Sequence, residues 1–459
     1  MSMIRAMIVL SCALVVAGCA TIPRDAGLAD VERELAERGR LTLDREERIE
    51  ELLAGELDAD RAVALALANS PRVRVILSGL GMAAADLAES RTISNPVFEA
   101  EIRFPADPFR PYEFSLAQSL LDLVQLPQRR RLGATAFEAA KLRVAAEMLS
   151  FAATVRDRYY EVVAAAQNLA ISRTVAEAAR VGAELAQRQH VAGNITDLDL
   201  ESEQTLYEDA KLDLARTEEQ LILRRESLIR LLGLREPNLT FTIAAEFPQP
   251  PEREPTDKEL AATRAERRLD LLIAQRDLDV ARRAVPLARA SAIGEVVADV
   301  HLEREGGGAK TAGPGIELPI PIFNTGRAAR MRAESRLVEA EEAFRALSIE
   351  AESEIRTARE RVVAARARVD YYRDVVLPRR KRIVELTKLE HNAMLLGTYA
   401  LLDARRREIV ARRDYVEAQR QYWSARNDLD RSLNGIESAF AMSVERAQRP
   451  EPGARRGGH

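Results

Sequence analysis

Residues 145–169 read AAEMLSFAATVRDRYYEVVAAAQNL and lie inside a longer stretch, Arg129 to Ala192, that contains no proline. A heptad spacing in two apolar columns predicts a long helix that packs against other helices. At 1.5 Å per residue, about sixty helical residues would extend about 90 Å, more than the diameter of an ordinary small domain. The two columns are Met148, Val155, Val162 and Leu169, and beside them Ala145, Ala152, Tyr159 and Ala166.

A second stretch, Arg327 to Glu390, is also long and rich in charged residues. Pro378 inside it predicts a kink, because proline lacks the backbone N–H donor. The two halves of the chain correspond at an offset of about 200 residues. We therefore predict one structural unit present twice, in residues 58–234 and 257–435. The offset pairs Phe114 with Gly315, Arg129 with Arg330, His190 with His391, and Gly233 with Gly435.

The composition favours long packed helices and argues against several classes of function. Charged residues make up 31% of the chain and aromatic residues 5%, which is typical of helices that pack side by side. A formal charge of -4 gives no support to nucleic-acid binding. The four histidines have no metal-ligand spacing, and no nucleophile motif or phosphate-binding glycine loop occurs. We predict neither an enzyme nor a bound cofactor.

The N-terminus carries an export signal in residues 1–18. Arg5 precedes an apolar run, Met7–Ala17, that is too short to cross a bilayer as a mature helix. Val16–Cys19 is similar to the bacterial lipobox, which implies cleavage before Cys19 and acylation of its thiol and amine, as in palmitate-bearing lipoproteins. An ordinary signal-peptide cysteine and a buried thiol are the alternative interpretations of Cys19.

The mature chain is predicted to hold a single cysteine, because Cys12 lies in the export signal. A disulfide and a multi-thiolate metal site are then impossible within it. Ala20 stands where an aspartate would retain a lipoprotein in the inner membrane, so delivery to the outer membrane is implied. Residues 19–57 are polar and mixed, and predict a lipid-anchored tether. No later stretch approaches the twenty apolar residues of a helical membrane span.

Prolines and caps mark the remaining boundaries. A helix is predicted from Asp58 to Ala68, with Asp58 or Asp60 as its N-cap, and it resumes to about Ser90 after the break Asn69–Pro71. The proline-rich residues 235–256 form a crossover between the repeats. This crossover contains a short predicted strand, Leu239–Ile243; Asp257 then caps a helix to about Ser291 that is disturbed at Pro286, and residues 436–459 are a C-terminal tail.

The apolar period changes from 3.6 to 2 in two places, residues 95–120 and 294–323, which predicts two β-hairpins with one apolar and one charged face. In a soluble sheet the apolar face would pack on helices, and in a membrane barrel it would face lipid. The alternating residues are Phe98, Ala100, Ile102 and Phe104, then Tyr112, Phe114 and Leu116, and in the second hairpin Val296, Ala298, Val300 and Leu302, then Ile316, Leu318, Ile320 and Ile322.

Strand length favours the membrane interpretation. Each strand has about nine to eleven residues, the length that a tilted strand needs to cross a bilayer. Four strands cannot close a barrel, and an open sheet edge is not tolerated in hydrocarbon. Several copies would therefore combine their strands, and three copies of four strands would give twelve, an even number within the range of outer-membrane barrels.

Residues 58–435 resemble the TolC-like outer membrane factor family, in particular its lipoprotein branch. The resemblance rests on the twofold repeat, the paired hairpins, the Leu318–Arg327 stretch LPIPIFNTGR, and the helix-turn-helix tips near residues 193 and 397. It implies a mainly α fold with a membrane β-barrel, in which a homotrimer combines twelve strands with a long α-helical barrel across the periplasm. It also implies a passive exit duct that docks to a periplasmic adaptor protein and a proton-driven inner-membrane pump.

The family's periplasmic tips carry its gate. In the first tip, residues 190–200, Ile195-Thr196-Asp197 matches a family gate pattern and implies that Asp197 lies at the constriction. Three inward copies of an aspartate would concentrate cations. Asp197 and Asp199 each precede a helical run, so an N-cap is the alternative role of either residue.

The second tip, residues 391–403, departs from the family pattern. By resemblance to the family, its Leu402-Asp403-Ala404 implies that Asp403 contributes to a ring of acids, one from each copy of the trimer. Ala400 stands where many members have a second acid, and Met394, three residues before Gly397, stands where many have the tip glycine. The acidic constriction is therefore expected to be weaker here. We also hypothesise that His391 pairs with Asp197 of the first tip and makes gating pH-sensitive.

Three functions remain open at this point. A passive efflux duct for small molecules or ions is the first prediction. A duct for type I protein secretion has the same architecture and differs in the pump that it serves. A periplasmic helical scaffold without a pore is the third, and the two hairpins of lipid-crossing length argue against it.

Overall fold

The computed structural model describes residues 25–43, 49–104, 111–236, 241–256, 259–260, 268–290, 294–305 and 308–436. The predicted signal segment, Cys19, the Asp257 cap and the tail beyond residue 436 lie outside the described residues. The described helices are α1 (Leu28–Gly39), α2 (Ile49–Leu53), α3 (Ala59–Asn69), α4 (Pro71–Arg91), α5 (Leu120–Val191), α6 (Asp197–Leu232), α7 (Leu269–Ala290), α8 (Arg327–Tyr371), α9 (Leu377–Asn392) and α10 (Thr398–Asn434).

The described strands form two sheets, in two compact units of the chain. The first unit holds the described residues up to 34, 77–145 and 269–349, and the second holds 35–76, 146–268 and the residues from 350 onward. The strands are β1 (Glu56–Leu57), β2 (Val97–Ile102), β3 (Tyr112–Ser119), β4 (Thr242–Ile243), β5 (Val297–Arg304) and β6 (Lys310–Glu317).

The main sheet lies in the first unit and is antiparallel throughout, in the order β2-β3-β5-β6. The two predicted hairpins are therefore adjacent, joined through β3 and β5. The alternation predicted from the sequence holds in the register. One row across the four strands is apolar, Phe98, Leu116, Val300 and Pro314, and a row on the opposite face is largely acidic, Glu101, Glu113, Glu303 and Thr311.

The last strand of this sheet corrects one prediction. The sequence places alternating strand residues from Ile316 to Ile322, whereas β6 ends at Glu317 and begins directly after the loop, at Lys310. The reason lies in Pro319 and Pro321, which have no N–H to donate to a strand ladder. Pro314 lies within β6, which is an edge strand of the sheet in the single chain.

Helix α5 is the long helix predicted from the heptad pattern, and it has 72 residues. Of the eight seam residues, seven are buried, including Met148, Val155 and Val162 with no exposed area. The helix starts earlier than the predicted Arg129 and contains Pro127. It follows β3 without a loop, because the Leu120 N–H donates to the Val296 carbonyl at 2.8 Å.

The second long helix is interrupted near Pro378, where a kink is predicted. A five-residue π segment, Tyr372–Val376, separates α8 from α9, and the Leu377 N–H donates to the Tyr372 carbonyl. Pro378 then occupies the start of α9, where a missing N–H costs little. The wider π turn accommodates the proline between two otherwise regular helices.

The second unit is held by an apolar core and by the crossover that packs into it. Val362, Tyr422 and Leu429 belong to one buried cluster from α8 and α10. The side chain of Glu254, in the crossover, accepts hydrogen bonds from the Tyr422 hydroxyl at 2.6 Å and from Arg366 at 3.2 Å, and the guanidinium of Arg426 lies 2.5 Å from it. These bonds tie the crossover to both long helices of the second repeat.

The entry helices follow the prediction at their start. Asp58 is the N-cap of α3 and accepts from the Arg61 N–H at 2.8 Å. Asn69, at the break, donates to the Leu232 carbonyl at 2.8 Å. Of the predicted crossover strand, Leu239–Ile243, the structure contains β4, which pairs in parallel with β1. Residues 239 and 240 of that prediction lie outside the described residues. Within the predicted tether, α1 and α2 are helices that the sequence pattern does not indicate.

Membrane-crossing potential is absent from every individual helix of the described residues. No single helix is long and apolar enough to cross a bilayer, while α3 and α4 pass that test together, across a bend of 57°.

Candidate functional site

The first helix-turn-helix tip joins α5 to α6 in the second unit. Gly193 adopts the left-handed conformation, with φ of 71°. Its N–H donates to the His190 carbonyl, and the N–H of Asn194 donates to the Gln189 carbonyl, both at 2.8 Å. These two bonds form the Schellman motif, which satisfies the last carbonyls of a helix and reverses the chain.

Helix α6 then starts with a capping box. Thr196 is the N-cap, and its hydroxyl accepts from the Asp199 N–H at 3.2 Å. The Asp199 carboxylate in turn accepts from the Thr196 N–H at 3.1 Å and from its hydroxyl at 2.8 Å. The alternative prediction that Asp197 or Asp199 is itself the N-cap is therefore wrong, because Thr196 occupies that position and Asp199 completes the box.

Asp197 lies at the first position of α6 and its side chain is 94% exposed. Its carboxylate is 2.6 Å from Nε2 of His190, at the end of α5. The predicted pairing of Asp197 with His391 is wrong in this chain, since the imidazole of His391 instead lies 3.0 Å from the Leu396 carbonyl within its own tip. The Schellman turn brings His190 and Asp197 together, because it folds the end of one helix onto the start of the next.

The second tip joins α9 to α10 with the same backbone hydrogen bonds, 201 residues later. The Met394 N–H donates to the His391 carbonyl and the Leu395 N–H donates to the Glu390 carbonyl, both at 2.9 Å. Met394 takes the left-handed position, with φ of 58°. Met394 is 94% exposed. The second turn is the less favourable of the two, because a Cβ at this φ crowds the following carbonyl.

The second tip also lacks a capping box. Gly397 is the N-cap of α10 and makes no side-chain hydrogen bond. Asp403 lies further along α10, where its carboxylate is 2.8 Å from the guanidinium of Arg407. Both side chains are more than half exposed. Each acid of the predicted gate therefore has a basic partner within its own tip, His190 for Asp197 and Arg407 for Asp403.

The chain matches known proteins over most of its length. A family model described as "Outer membrane efflux protein" matches residues 112–234 and 261–435. The chain belongs to the outer membrane efflux protein family. Its two matched segments correspond to the two copies of the internal repeat, and proteins of this family are outer-membrane channels of tripartite efflux systems and not enzymes.

Individual members share modest sequence identity and the same fold. The cobalt-zinc-cadmium resistance protein CzcC of Cupriavidus metallidurans is 22% identical over 393 residues, which are 83% of this chain and 90% of that protein. The CmeC outer membrane channel of Campylobacter jejuni superposes with a TM-score of 0.70 at 18% identity, covering 85% of this chain and 89% of CmeC. A membrane protein from Pseudomonas aeruginosa gives 0.67 at 21% identity, covering 82% and 93%.

Sequence reasoning missed a polar link that ties the two helical hairpins of this efflux protein together. The guanidinium of Arg413, on α10, donates to the Ser172 hydroxyl at 2.7 Å and also pairs with the Asp213 carboxylate. Ser172, on α5, donates to Asp213, on α6, at 3.0 Å. Hydrogen bonding to Arg413 lowers the pKa of Asp213. No local motif could have indicated this link, since its members are far apart in the sequence.

A second missed feature is a buried acid near the first tip. Glu203, on α6, is 8% exposed, and burial raises the pKa of its carboxyl. It lies against Gly182 of α5, where an added Cβ would be 3.2 Å from the carboxylate oxygen. The glycine thus makes room for the acid. In the second repeat the equivalent positions hold Ile383 and Ala404, a pair that carries no charge.

Proposed function

We propose that this efflux protein forms the exit duct as a homotrimer in which four strands from each copy close a twelve-stranded barrel. The observation that carries the proposal is the sheet of the first unit, which has two central rows of apolar residues across all four strands on one face, and two edges, β2 and β6, that are unpaired in the single chain. Phe98, Leu116 and Val300 on that face are each more than half exposed in the single chain. An apolar face suits lipid. When β6 of one copy pairs with β2 of the next, no strand edge is left with the unpaired backbone groups that hydrocarbon does not tolerate.

We propose that the two tips form the periplasmic gate and the docking end for the adaptor protein. Asp197 and Asp403 are the acids that line the constriction, with Thr196 and Asp199 holding the first turn, and Met394 and Gly397 shaping the second. His391 belongs to the gate through its contact with the second turn. The exposure of Asp197 and the identical turn geometry of both tips support this role.

Conductance in planar lipid bilayers tests the gate. Charge removal in Asp197→Ala and Asp403→Ala is expected to lower the preference for cations over anions, because inward acids concentrate cations. Asp209→Ala is the matched control, since this exposed acid lies about three helical turns from the first tip. Unchanged ion selectivity in both gate variants, or an equal change in the control, would remove the two acids from the gate.

We propose that Cys19 is acylated and anchors the N-terminus in the periplasmic leaflet of the outer membrane. The lipobox-like Val16–Cys19 supports this proposal. Growth with labelled palmitate tests it, and the expected result is label in the wild-type chain and none in Cys19→Ser. Label retained in the variant would contradict the anchor.

We propose divalent metal ions as the cargo and a proton-driven pump as the inner-membrane partner, in preference to type I protein secretion. The relationship to a protein named for cobalt, zinc and cadmium resistance supports the cargo. Deletion of the gene should lower the tolerance of the cells to these ions, and a protonophore should abolish the tolerance that the restored gene confers. Unchanged metal tolerance together with a lost secreted protein would favour the secretion duct.

A further inference from the structure

The residues that follow edge strand β6 form an unusual apolar surface in the first unit. Residues 318–323 read LPIPIF, and the side chains of Leu318, Ile320, Ile322 and Phe323 are all exposed, the last at 99%. Four large apolar side chains exposed within six residues exceed the scattered apolar residues of an ordinary protein surface. Such a surface marks an interaction site.

This segment is held in place by local contacts. Gly294 adopts a φ of 81°, and an added Cβ there would lie 2.6 Å from Pro319. The Ile322 N–H donates to the Ile320 carbonyl at 2.8 Å, which fixes the turn around Pro321. A pre-ordered segment loses little conformational entropy when a partner covers it. The surface is therefore built to bind rather than left as a free loop.

The sheet register shows where the segment lies. Val97, at the start of β2, is level with Ala117 of β3, which is level with Asp299 of β5 and thereby with Gly315 near the end of β6. The start of β2 and the end of β6 are therefore at the same end of the sheet, on opposite edges. Because successive strands are antiparallel, β6 of one copy and β2 of the next are also antiparallel in a closed ring.

The entry to β2 offers a complementary surface. Ile93 and Val97 are exposed in the single chain, the latter at 64%. Ser94, between them, is fixed by two hydrogen bonds: its N–H donates to the Asp122 carboxylate at 3.2 Å, and its carbonyl accepts from Gln118 at 3.1 Å. This entry is thus ordered and partly apolar, and it leads into β2, the edge strand that the neighbouring copy would pair with.

We propose that residues 318–323 of one copy dock on the β2 entry, residues 93–97, of a second copy, and so seal the junction between sheet and helices around the ring. The inference rests on the proposed function, because it needs three copies whose β6 and β2 edges pair. It goes beyond that function in assigning a partner to a segment outside the strands. Leu318, Ile320 and Phe323 then pack on protein rather than on lipid.

Cysteine cross-linking of the full chain in outer membranes tests the docking. Ile320→Cys is combined in turn with Ile93→Cys, Asn95→Cys and Val97→Cys, so that any stagger between the edges is covered. Cross-linked dimers and trimers are expected for at least one combination. Ile320→Cys with Val300→Cys is the matched control, since Val300 lies on an interior strand, and each single variant controls for non-specific bridging.

A second scan separates failure of the docking from failure of the trimer. Ala312→Cys in β6 is combined with Phe98→Cys, Ala100→Cys or Ile102→Cys in β2, which reports edge pairing alone. Cross-links between the edges without any from Ile320 would overturn the docking and leave the duct intact. Reaction of Ile320→Cys with a lipid-soluble maleimide in such a sample would assign the segment to lipid. The absence of both sets of cross-links would overturn the trimer and the docking together.

Discussion

The two tips have the same backbone hydrogen bonds and different means of holding them. The first tip has glycine in its left-handed position and a Thr196–Asp199 capping box after it. The second has Met394 in the left-handed position and Gly397, without a side-chain cap, at the start of the next helix. The two tips share the turn, while the residues that stabilise it differ. We therefore expect the second tip to cost less free energy to open than the first.

Exchange of the left-handed residues should have the largest effect on this comparison. Met394→Gly is expected to stabilise the second tip, and Gly193→Ala to destabilise the first, by about 1–2 kcal/mol each, because a Cβ is crowded at positive φ. Hydrogen exchange of the turn amides measures both changes. Leu395→Gly is the control, since it also removes an apolar side chain at the tip but leaves Met394 in the left-handed position. Equal protection of Met394→Gly and wild type would contradict the assigned strain.

Removal of the capping box should have the next largest effect. Thr196→Ala is expected to lower the local stability of the first turn of α6 by about 1 kcal/mol, since an N–H of that turn loses its acceptor. Ser202→Ala is the matched control, because the Ser202 hydroxyl only donates to the carbonyl of Leu198, one turn earlier. Faster exchange in both variants alike would mean that the cap has no specific role.

Introduction of a cap into the second tip should have a smaller effect. Gly397→Ser is expected to stabilise the start of α10 by a few tenths of a kcal/mol, because serine can accept from an N–H of the first turn and glycine is itself a fair N-cap. Gly397→Ala, which adds a side chain without an acceptor, is the control. Limited proteolysis at the tip should slow for serine and not for alanine.

The buried acid of the first hairpin should make its stability depend on pH. Burial raises the pKa of Glu203 in the folded chain, so the folded state binds the proton more tightly and local stability falls as pH rises through the raised pKa. Glu203→Gln should therefore slow exchange of the nearby α6 amides at neutral pH, and the difference should vanish below the ordinary pKa of glutamate. The second hairpin, with Ala404, should show no such dependence. A difference in exchange rate between Glu203→Gln and wild type that stays constant with pH would contradict a role for the Glu203 carboxyl in this dependence.

Much of the fold could be predicted from the sequence because it is encoded locally. The heptad seam of α5, the cap at Asp58 and the two alternating hairpins each follow from periodicity or capping chemistry within a few residues. The tip positions follow from the repeat. Element ends were less accessible. Helix α5 starts nine residues before Arg129, because β3 passes into it through the bond between Leu120 and Val296.

The rest depended on contacts between distant residues. The partner of Asp197 was assigned to the wrong histidine, since a capped turn places His190 beside it and the sequence alone does not show that geometry. The link between Ser172, Asp213 and Arg413 joins residues 41 and 241 positions apart. Neither periodicity nor spacing reports such pairs. The end of β6 is an intermediate case, because Pro319 already argued against a strand there.

Electron cryo-microscopy of the full chain, extracted from outer membranes with detergent, tests the central claim most directly. The account predicts hollow threefold particles with twelve strands at one end, and a narrow opposite end formed by residues 190–200 and 391–403. The second tip should be the less well defined of the two, and Met394→Gly should sharpen it. Solid or filamentous particles, or a chain recovered without detergent, would contradict the duct.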